Sequence, residues 1–412
     1  MNDHYLRELA NKTGVNYDNP ELKIADVQTI MLRVPPLDQM CAWSEDAVLV
    51  KIITKGGVEG LGEADSSPLV VKSVIETPGS HETCMGLRAL LLGENPLNIG
   101  FLWDKMYQSS FYMGRMGAGV HAISAIDIAL WDLAGKIFDM PLYQILRGKK
   151  RESIKAYATF EPSENLVANK GLAKELVGQS YQSLKLGGGC LGNSEQLDLD
   201  VVSGVRAAVG EGVDLQIDLV GKWKTADMCL KMATYMAPFG LSWIEEPILA
   251  HDWEAYKELS ERCEIPIAGG ENLCTRWEFD RFLETSSIPI IQPDITRCGG
   301  ISEMLKIYKL AQSYGAKIRP HGFSTGILTA ATAHTLISLD GGDLIELSSS
   351  CSPLASDLVS GAPALKLGHI SVSDAPGLGL TLNDCAVPHE ICLPSDKLNE
   401  FGGTFHARTQ KI

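Results

Sequence analysis

Six ionisable residues recur at a near-constant interval through the second half of the 412-residue chain, and that interval constrains the fold more than any other feature. Asp218, Glu245, Glu271, Asp294, His321 and Glu346 are separated by 27, 26, 23, 27 and 25 residues. Each sits at or just past the end of a short apolar run, as in Leu215-Gln216-Ile217-Asp218, Trp243-Ile244-Glu245 and Leu344-Ile345-Glu346, and segments of helical periodicity lie between them. A strand, a helix and two turns take roughly this many residues, because parallel strands need a crossover connection. Polar residues at the C-terminal tips of the strands of a (β/α) barrel face one shared mouth. The spacing therefore predicts a single site assembled from six strand ends.

The length suits a barrel of roughly 250 residues with a smaller companion unit. Residues 1–22 read as a loosely held leader. Residues 23–150 read as an α+β capping unit, strand-rich up to Glu63 and helical over 82–148. Its loops 35–45, with Met40 and Trp43, and 64–80 are expected to close over the barrel mouth. The barrel spans 151–362: its first strand begins near Ile154, its second is Ser183-Leu184-Lys185-Leu186, and the six ladder residues mark the rest. The tail, 363–412, is β-like again and is expected to return to the capping unit.

A net charge of −15 leaves no excess of basic residues to neutralise phosphates, so neither nucleic acid nor an anionic membrane is expected as a partner. The ten cysteines form no Cys-x-x-Cys pair and read as reduced residues of a cytoplasmic protein. The N-terminus has no apolar signal core, and no run is expected to reach the roughly 18 apolar residues of a membrane span.

Asp218, Glu245 and Glu271 are carboxylates on three successive strands. Oxygen-only ligands suit a hard divalent ion, Mg²⁺ first, and three negative charges against two positive leave the site able to take an anionic ligand. Singly, each carboxylate could equally cap a helix or pair with arginine. Asp294 and His321 fall on adjacent strands, where an aspartate fixes the imidazole tautomer and makes its other nitrogen a general acid or base. Lys185, on the second strand, faces His321 across the mouth, and a lysine enclosed near a cation can have its pKa lowered enough to take a proton. Glu346, if protonated, could donate to an enediolate oxygen; the alternative is a solvated strand-end acid. Ser183, Trp43 and Lys222 are candidate substrate contacts. Arg297, beside Cys298-Gly299-Gly300, reads as structural, His334 as packed on a helix, and His251 as structural or rim-facing.

Several ordered motifs resemble the enolase superfamily, and within it the mandelate racemase subgroup. They are Ser124-Ala125-Ile126-Asp127-Ile128-Ala129-Leu130-Trp131-Asp132, Trp243-Ile244-Glu245-Glu246-Pro247, Gly270-Glu271-Asn272, Gln292-Pro293-Asp294-Ile295-Thr296-Arg297-Cys298-Gly299-Gly300 and Pro320-His321, in a likeness covering about residues 24–395. The resemblance implies an α+β capping domain, formed by the N-terminal part and the C-terminal tail, over a modified TIM barrel of (β/α)7β type. It also implies one Mg²⁺ held by Asp218, Glu245 and Glu271, an Asp294–His321 dyad, and abstraction of the proton α to a carboxylate to give a metal-stabilised enediolate. Homo-oligomers, often octamers, are common in that subgroup. Two positions depart from the family pattern. Its second strand usually reads Lys-x-Lys, with the second lysine as base; here Ser183 replaces the first and Lys185 keeps the second. The usual asparagine two residues past the first ligand is Val220.

The reaction expected from the resemblance is dehydration of a sugar acid, an aldonate or aldarate, to a 2-keto-3-deoxy acid, with Lys185 and His321 dividing the proton transfers. The alternatives are a cycloisomerase acting on a sugar lactone or anhydro ring, a racemase or epimerase of a 2-hydroxy acid, and a non-catalytic barrel.

Overall fold

The structure, a computed structural model, describes residues 3–33, 46–349 and 352–383. Met40 and Trp43 lie outside the described residues, as does the stretch 34–45 around them. Three strands, β1 (Ile24–Arg33), β2 (Asp46–Thr54) and β3 (Glu59–Ala64), pair antiparallel in that order. Helix Ala118–Phe138 lies across them so closely that a Cβ on Gly62 would fall 2.0 Å from the Ala125 carbonyl. This helix corrects one expectation. It is long and apolar enough to cross a membrane by length and composition, but 89% of its most apolar window is buried inside the protein. It also carries two buried aspartates, Asp127 and Asp132, which mark it as a core helix.

The leader is likewise more firmly held than expected. Helix Asp3–Thr13 buries Leu6 and Ala10, the Tyr5 hydroxyl donates to the Ile145 carbonyl at 3.1 Å, and Asp3 accepts from the Gly100 and Phe101 amides at the start of helix Ile99–Ser109. Spaced four apart, Leu6 and Ala10 share one helix face.

Eight strands follow, β4 (Ile154–Phe160), β5 (Ser183–Gly187), β6 (Asp214–Asp218), β7 (Leu241–Glu245), β8 (Ile267–Gly269), β9 (Ile290–Ile291), β10 (Lys317–Ile318) and β11 (Leu344–Ser348). Each of β4 to β9 pairs in parallel with the next, and β11 pairs in parallel with β4. Between β10 and β11 no ladder pairing occurs among the described residues; the Gly322 amide instead donates to Glu346 Oε2 at 2.9 Å. The crossover helices start where the sequence supplies caps. Ser194, Thr225, Asp252 and Thr325 each accept a backbone N–H of the helix that follows, a contact worth about 1 kcal/mol apiece.

Strand alternation sets the depth of the site. Tyr157, Trp243, Ala268 and Ile290, with Leu344 against them, form a separate apolar cluster. Two residues further along the same strands, on the same faces, stand Thr159, Glu245, Gln292 and Glu346. An apolar plug thus closes the barrel beneath a polar layer, and that layer is the floor of the mouth.

The tail does two jobs rather than the one expected. Strands β12 (Val359–Ser360), β13 (Leu365–Lys366), β14 (His369–Ile370) and β15 (Thr381–Leu382) follow β11, and β14 pairs antiparallel with the start of β4. Beyond it Gly377 exchanges backbone bonds with Met140 and Leu142, and the Leu378 amide donates to Asp132, so the tail also reaches the capping helix.

Candidate active site

The spacing argument placed six groups at one mouth, and the strand ends bring them there. Asp218 and Glu245 are the last residues of β6 and β7 and sit opposite each other in register. Glu271 follows β8 by two residues. The three offer carboxylate oxygens that all lie within 4.8 Å of one another. Burial, and then the Glu245 charge, push Asp218 well above the usual carboxylate range, and burial raises Glu245 as well. Glu271 is only half-buried, and there His321 and Arg297 outweigh desolvation and lower it. Three oxygen donors, mutually repelling at this spacing, fit a hard divalent cation in chemistry and in number.

Asp294 and His321 form the expected dyad, with Asp294 Oδ2 2.6 Å from His321 Nδ1. The other aspartate oxygen accepts from the Thr296 amide at 2.7 Å and its hydroxyl at 2.5 Å, which fixes the carboxylate. His321 Nε2 then lies 3.5 Å from Glu271 Oε2. Burial alone would lower the imidazole, but Glu271 and Asp294 carry it up to about 10, so it is a cation at neutral pH.

Lys185 is fully enclosed, with Nζ 2.5 Å from Glu245 Oε1, 2.9 Å from Glu346 Oε1 and 3.9 Å from Asp218 Oδ2. The protein's own charges act in the opposite sense to the lowering expected beside a cation. Burial pulls the ammonium down, but the Glu245 and Glu346 carboxylates hold it well above its ordinary value. At an effective dielectric of about 20, one ion pair near 4 Å contributes about 4 kcal/mol, and two closer contacts exceed the several kcal/mol of desolvation. Glu346 needs the converse correction. It is buried rather than solvated, yet Lys185, His321 and the Thr159 hydroxyl overcome burial and lower it to about 2, which favours its anion over the proton-donating form.

These groups line one cavity of about 270 Å³, near the lower end of ligand-pocket volumes. Its wall includes Lys185, Asp218, Glu271, His321 and Glu346 from the ladder reading. Ser183 is not part of it. The Ser183 hydroxyl sits deeper, bonded to Gln216, because it lies two residues before Lys185 on the same strand face. Lys222 is also absent from the wall, its ammonium donating to the Gly189 carbonyl at 2.6 Å. His334 packs on its helix as expected, its Nδ1 accepting from the Tyr143 amide, and His251 is exposed.

Residues the sequence reading did not name singly, three of them in the loop 64–80 expected at the mouth, complete the wall. Asp65, Ser66 and Ser67 enter from the capping unit just after β3, and Arg297 is a site residue as well as a structural one. Its guanidinium lies 2.6 Å from Asp65 Oδ2 and 3.3 Å from Glu271 Oε1, tying the capping loop to a candidate metal ligand. Asp46 and Glu161 also line the cavity, at the start of β2 and just past β4. The position of Glu161 after a barrel strand was a usable signal; Asp46 offered none.

Two family models match the chain: the mandelate racemase / muconate lactonizing enzyme N-terminal domain over residues 27–147, and the enolase C-terminal domain-like family over 169–386. The chain belongs to the enolase superfamily, in its mandelate racemase subgroup. Members of this superfamily bind Mg²⁺, and the fold described above is its capping domain over a (β/α)7β barrel. The arabinonate dehydratase of Saccharolobus solfataricus is 30% identical over 348 residues, which is 82% of this chain and 89% of that protein. Among solved structures, the 3,6-anhydro-D-galactonate cycloisomerase from Zobellia galactanivorans is 30% identical with a TM-score of 0.82, covering 90% of this chain and 99% of its own. A racemase from Streptomyces coelicolor A3(2) with bound magnesium is 27% identical with a TM-score of 0.78, covering 89% and 100%.

Proposed function

We propose that this superfamily member is an acid-sugar dehydratase, converting an aldonate or aldarate to a 2-keto-3-deoxy acid. The observation that carries the reading is the presence of Lys185 and the Asp294-held His321 in one cavity, beside the carboxylate cluster of Asp218, Glu245 and Glu271. Mg²⁺ bound by that cluster supplies positive charge against the negative charge that builds on the substrate carboxylate. Lys185 takes the α-proton. The imidazolium of His321 gives a proton to the departing β-hydroxyl, which leaves as water, and the resulting enol ketonises. For Lys185 to act as base its ammonium must first give up a proton. The carboxylates that hold it, Glu245 and Asp218, are the candidate metal ligands, so charge drawn toward a cation there is charge withdrawn from the lysine.

A second reading is a cycloisomerase, which uses the same β-elimination with a ring oxygen as leaving group. It is supported by the likeness to the anhydrogalactonate cycloisomerase, equal in identity to the likeness to the arabinonate dehydratase. Racemisation or epimerisation of a 2-hydroxy acid is the remaining isomerase alternative. Incubation with Mg²⁺ and a library of acid sugars separates the three. Dehydration gives a semicarbazide-reactive product with loss of water, cycloisomerisation consumes only anhydro or lactone substrates, and racemisation incorporates deuterium at the α-carbon without net loss of water. Absence of a semicarbazide-reactive product from every acid contradicts the dehydratase reading. A cytoplasmic location and a homo-oligomeric state, such as an octamer, belong to the same proposal. The six described cysteines, all free thiols, support the former.

A further inference from the structure

We infer that Asp65 and Arg297 are positioning residues for the metal site. Asp65, on the capping unit, draws the Arg297 guanidinium away from Glu271, so docking of the cap and binding of the cation favour each other. This rests on the Mg²⁺ site of the proposed function and not on which acid is dehydrated.

Arg297 is placed by the turn that follows β9, where its amide donates to the Asp294 carbonyl at 3.0 Å. From there its side chain reaches both halves of the molecule. Nη2 lies 2.6 Å from Asp65 Oδ2, and Nε donates to the Asp65 carbonyl at 3.3 Å. Nη1 meets Glu271 Oε1 at 3.3 Å. The first contact is a short, charge-assisted hydrogen bond, and the Glu271 contact lies beyond the usual range. The guanidinium therefore belongs to the capping loop and only leans on the candidate metal ligand. Its rigid fork makes this possible, since separate nitrogens serve the two acids. The Arg297, Asp65 and Glu271 side chains keep 18%, 26% and 16% of their surface exposed, so the guanidinium can shift between the acids without stranding a charge in the core.

Two positive charges compete for Glu271. Its carboxylate stands in the cluster with Asp218 and Glu245 that suits a divalent cation, and it also faces the guanidinium. A cation bound there repels Arg297, and a guanidinium resting fully on Glu271 takes up charge that the cation needs. Asp65 shifts that balance by giving Arg297 a closer counter-charge. Asp65 also forms a group with Asp294 and His321, one ligand atom of each lying within 4.8 Å of the others. That group is not a second cation site: Arg297 already meets Asp65, and Asp294 is held by His321 and Thr296. It sets the carboxylate of the cap beside the dyad. By linkage, if a docked Asp65 favours the cation, a bound cation favours a docked Asp65 to the same degree.

The test is a double-mutant cycle on the full chain, read as Mg²⁺ affinity by calorimetric titration without substrate. Asp65→Asn removes the counter-charge at nearly constant shape and should raise the Mg²⁺ Kd about fivefold or more, within the range of measured pair couplings. Arg297→Gln removes the competing cation and should not raise it. Adding Asp65→Asn to Arg297→Gln should then change the Kd by less than about twofold. Equal effects of Asp65→Asn in the two backgrounds overturn the inference, because the carboxylate then acts on the cation directly and not through Arg297. Lost thermal stability with an unchanged Mg²⁺ Kd overturns it too, as that is what a merely structural pair gives. A second arm needs no variant. Mg²⁺ added to the native chain should slow hydrogen exchange in helix Pro68–Glu76, which begins three residues past Asp65, and unchanged exchange there counts against the linkage. If the native chain binds no Mg²⁺, the metal site and the inference fall together. If the cycle holds but no acid sugar is turned over, the dehydratase reading fails and the inference stands.

Discussion

At the barrel mouth, Asp218, Glu245 and Glu271 crowd their oxygens together, with Lys185, His321 and Arg297 as the nearby positive charges. Where the capping unit meets the barrel, carboxylates are buried just as deeply but on other terms. Glu63 accepts from the Ser324 hydroxyl, the Thr325 amide and hydroxyl, and the Leu328 amide, so it holds the start of helix Gly326–Ile337. Asp127 accepts the amide and hydroxyl of Ser302, and Asp132 the amides of Leu61 and Leu378 and the ammonium of Lys136. The interface acids have their donors built in. The mouth acids face each other across a space that a cation suits. Burial alone therefore does not distinguish the two groups of carboxylates; the crowding of like charge at the mouth does.

Both regions use left-handed backbone positions. At the interface Gly299, Gly300 and Gly377 hold them, and a Cβ on Gly300 would fall 2.4 Å from Asp127 Oδ2. At the mouth Val220 and Glu246, just past two ligand strands, hold positive φ without being glycine. Valine at φ 48° is strained, and the bonds of its neighbours keep it there: the Val220 amide donates to Asp218 Oδ1, Leu219 to the Glu245 carbonyl and Gly221 to the Glu246 carbonyl.

The largest effect that can break this contrast is on turnover. Lys185→Ala and His321→Asn should each lower kcat on an identified acid by about 10²–10⁴-fold, the usual contribution of a positioned acid or base. Asp127→Asn should leave kcat within about threefold, since its side chain bonds Ser302 and not the cavity. Equal losses at both places, measured by steady-state kinetics, would erase the distinction.

Metal linkage comes next. Saturating Mg²⁺ should raise the unfolding free energy by about 2.7 kcal/mol at a hundred times its Kd. Asp218→Asn or Glu271→Gln should abolish that gain, and Glu63→Gln should retain it. A thermal scan with Mg²⁺ and with EDTA checks both.

A smaller effect lies in the pH dependence of stability. Burial raises Asp127, and separately Glu63, to about 7 in the folded protein, against ordinary values of 3.8 and 4.5. A raised folded value means the native state keeps its proton longer. The stabilisation is therefore full below about pH 4 and is lost as pH rises through about 7. Calorimetry between pH 5 and 8 should show stability falling with pH, and Asp127→Asn should flatten part of that slope. An identical slope in the variant contradicts the assignment. The smallest effect is strain. Val220→Asn, which tolerates the left-handed region, should add up to about 1 kcal/mol of stability, and a destabilised variant would count against a strained Val220.

Much of this architecture was legible in the chain because the βα period and the strand ends are local properties. Asp218 and Glu245 close their strands in register, and Asp294 reaches His321 across one strand interval, so a count of residues sufficed. Lys185 was found although its interval to Asp218 is longer, because its strand is legible on its own. What the count could not supply was the set of contacts each group makes. The charge states of Lys185 and Glu346 depend on their facing each other across 2.9 Å, and the role of Arg297 depends on Asp65, 232 residues away. Ser183 was misplaced for a related reason: alternation gives the face of a strand, but depth along the barrel axis decides whether that face meets the cavity or the plug. The leader looked loose because the apolar residues it buries, Leu6, Ala10 and Tyr17, have meaning only against a surface the sequence does not show.

The most direct test of the central claim, that the crowded mouth performs α-proton chemistry, is proton NMR of the acid-sugar library in D₂O with Mg²⁺. The account predicts a 2-keto-3-deoxy product carrying solvent deuterium at the carbon that lost its hydroxyl, formed by the native chain and lost with EDTA, with Lys185→Ala and with His321→Asn. Turnover that survives both substitutions would contradict it.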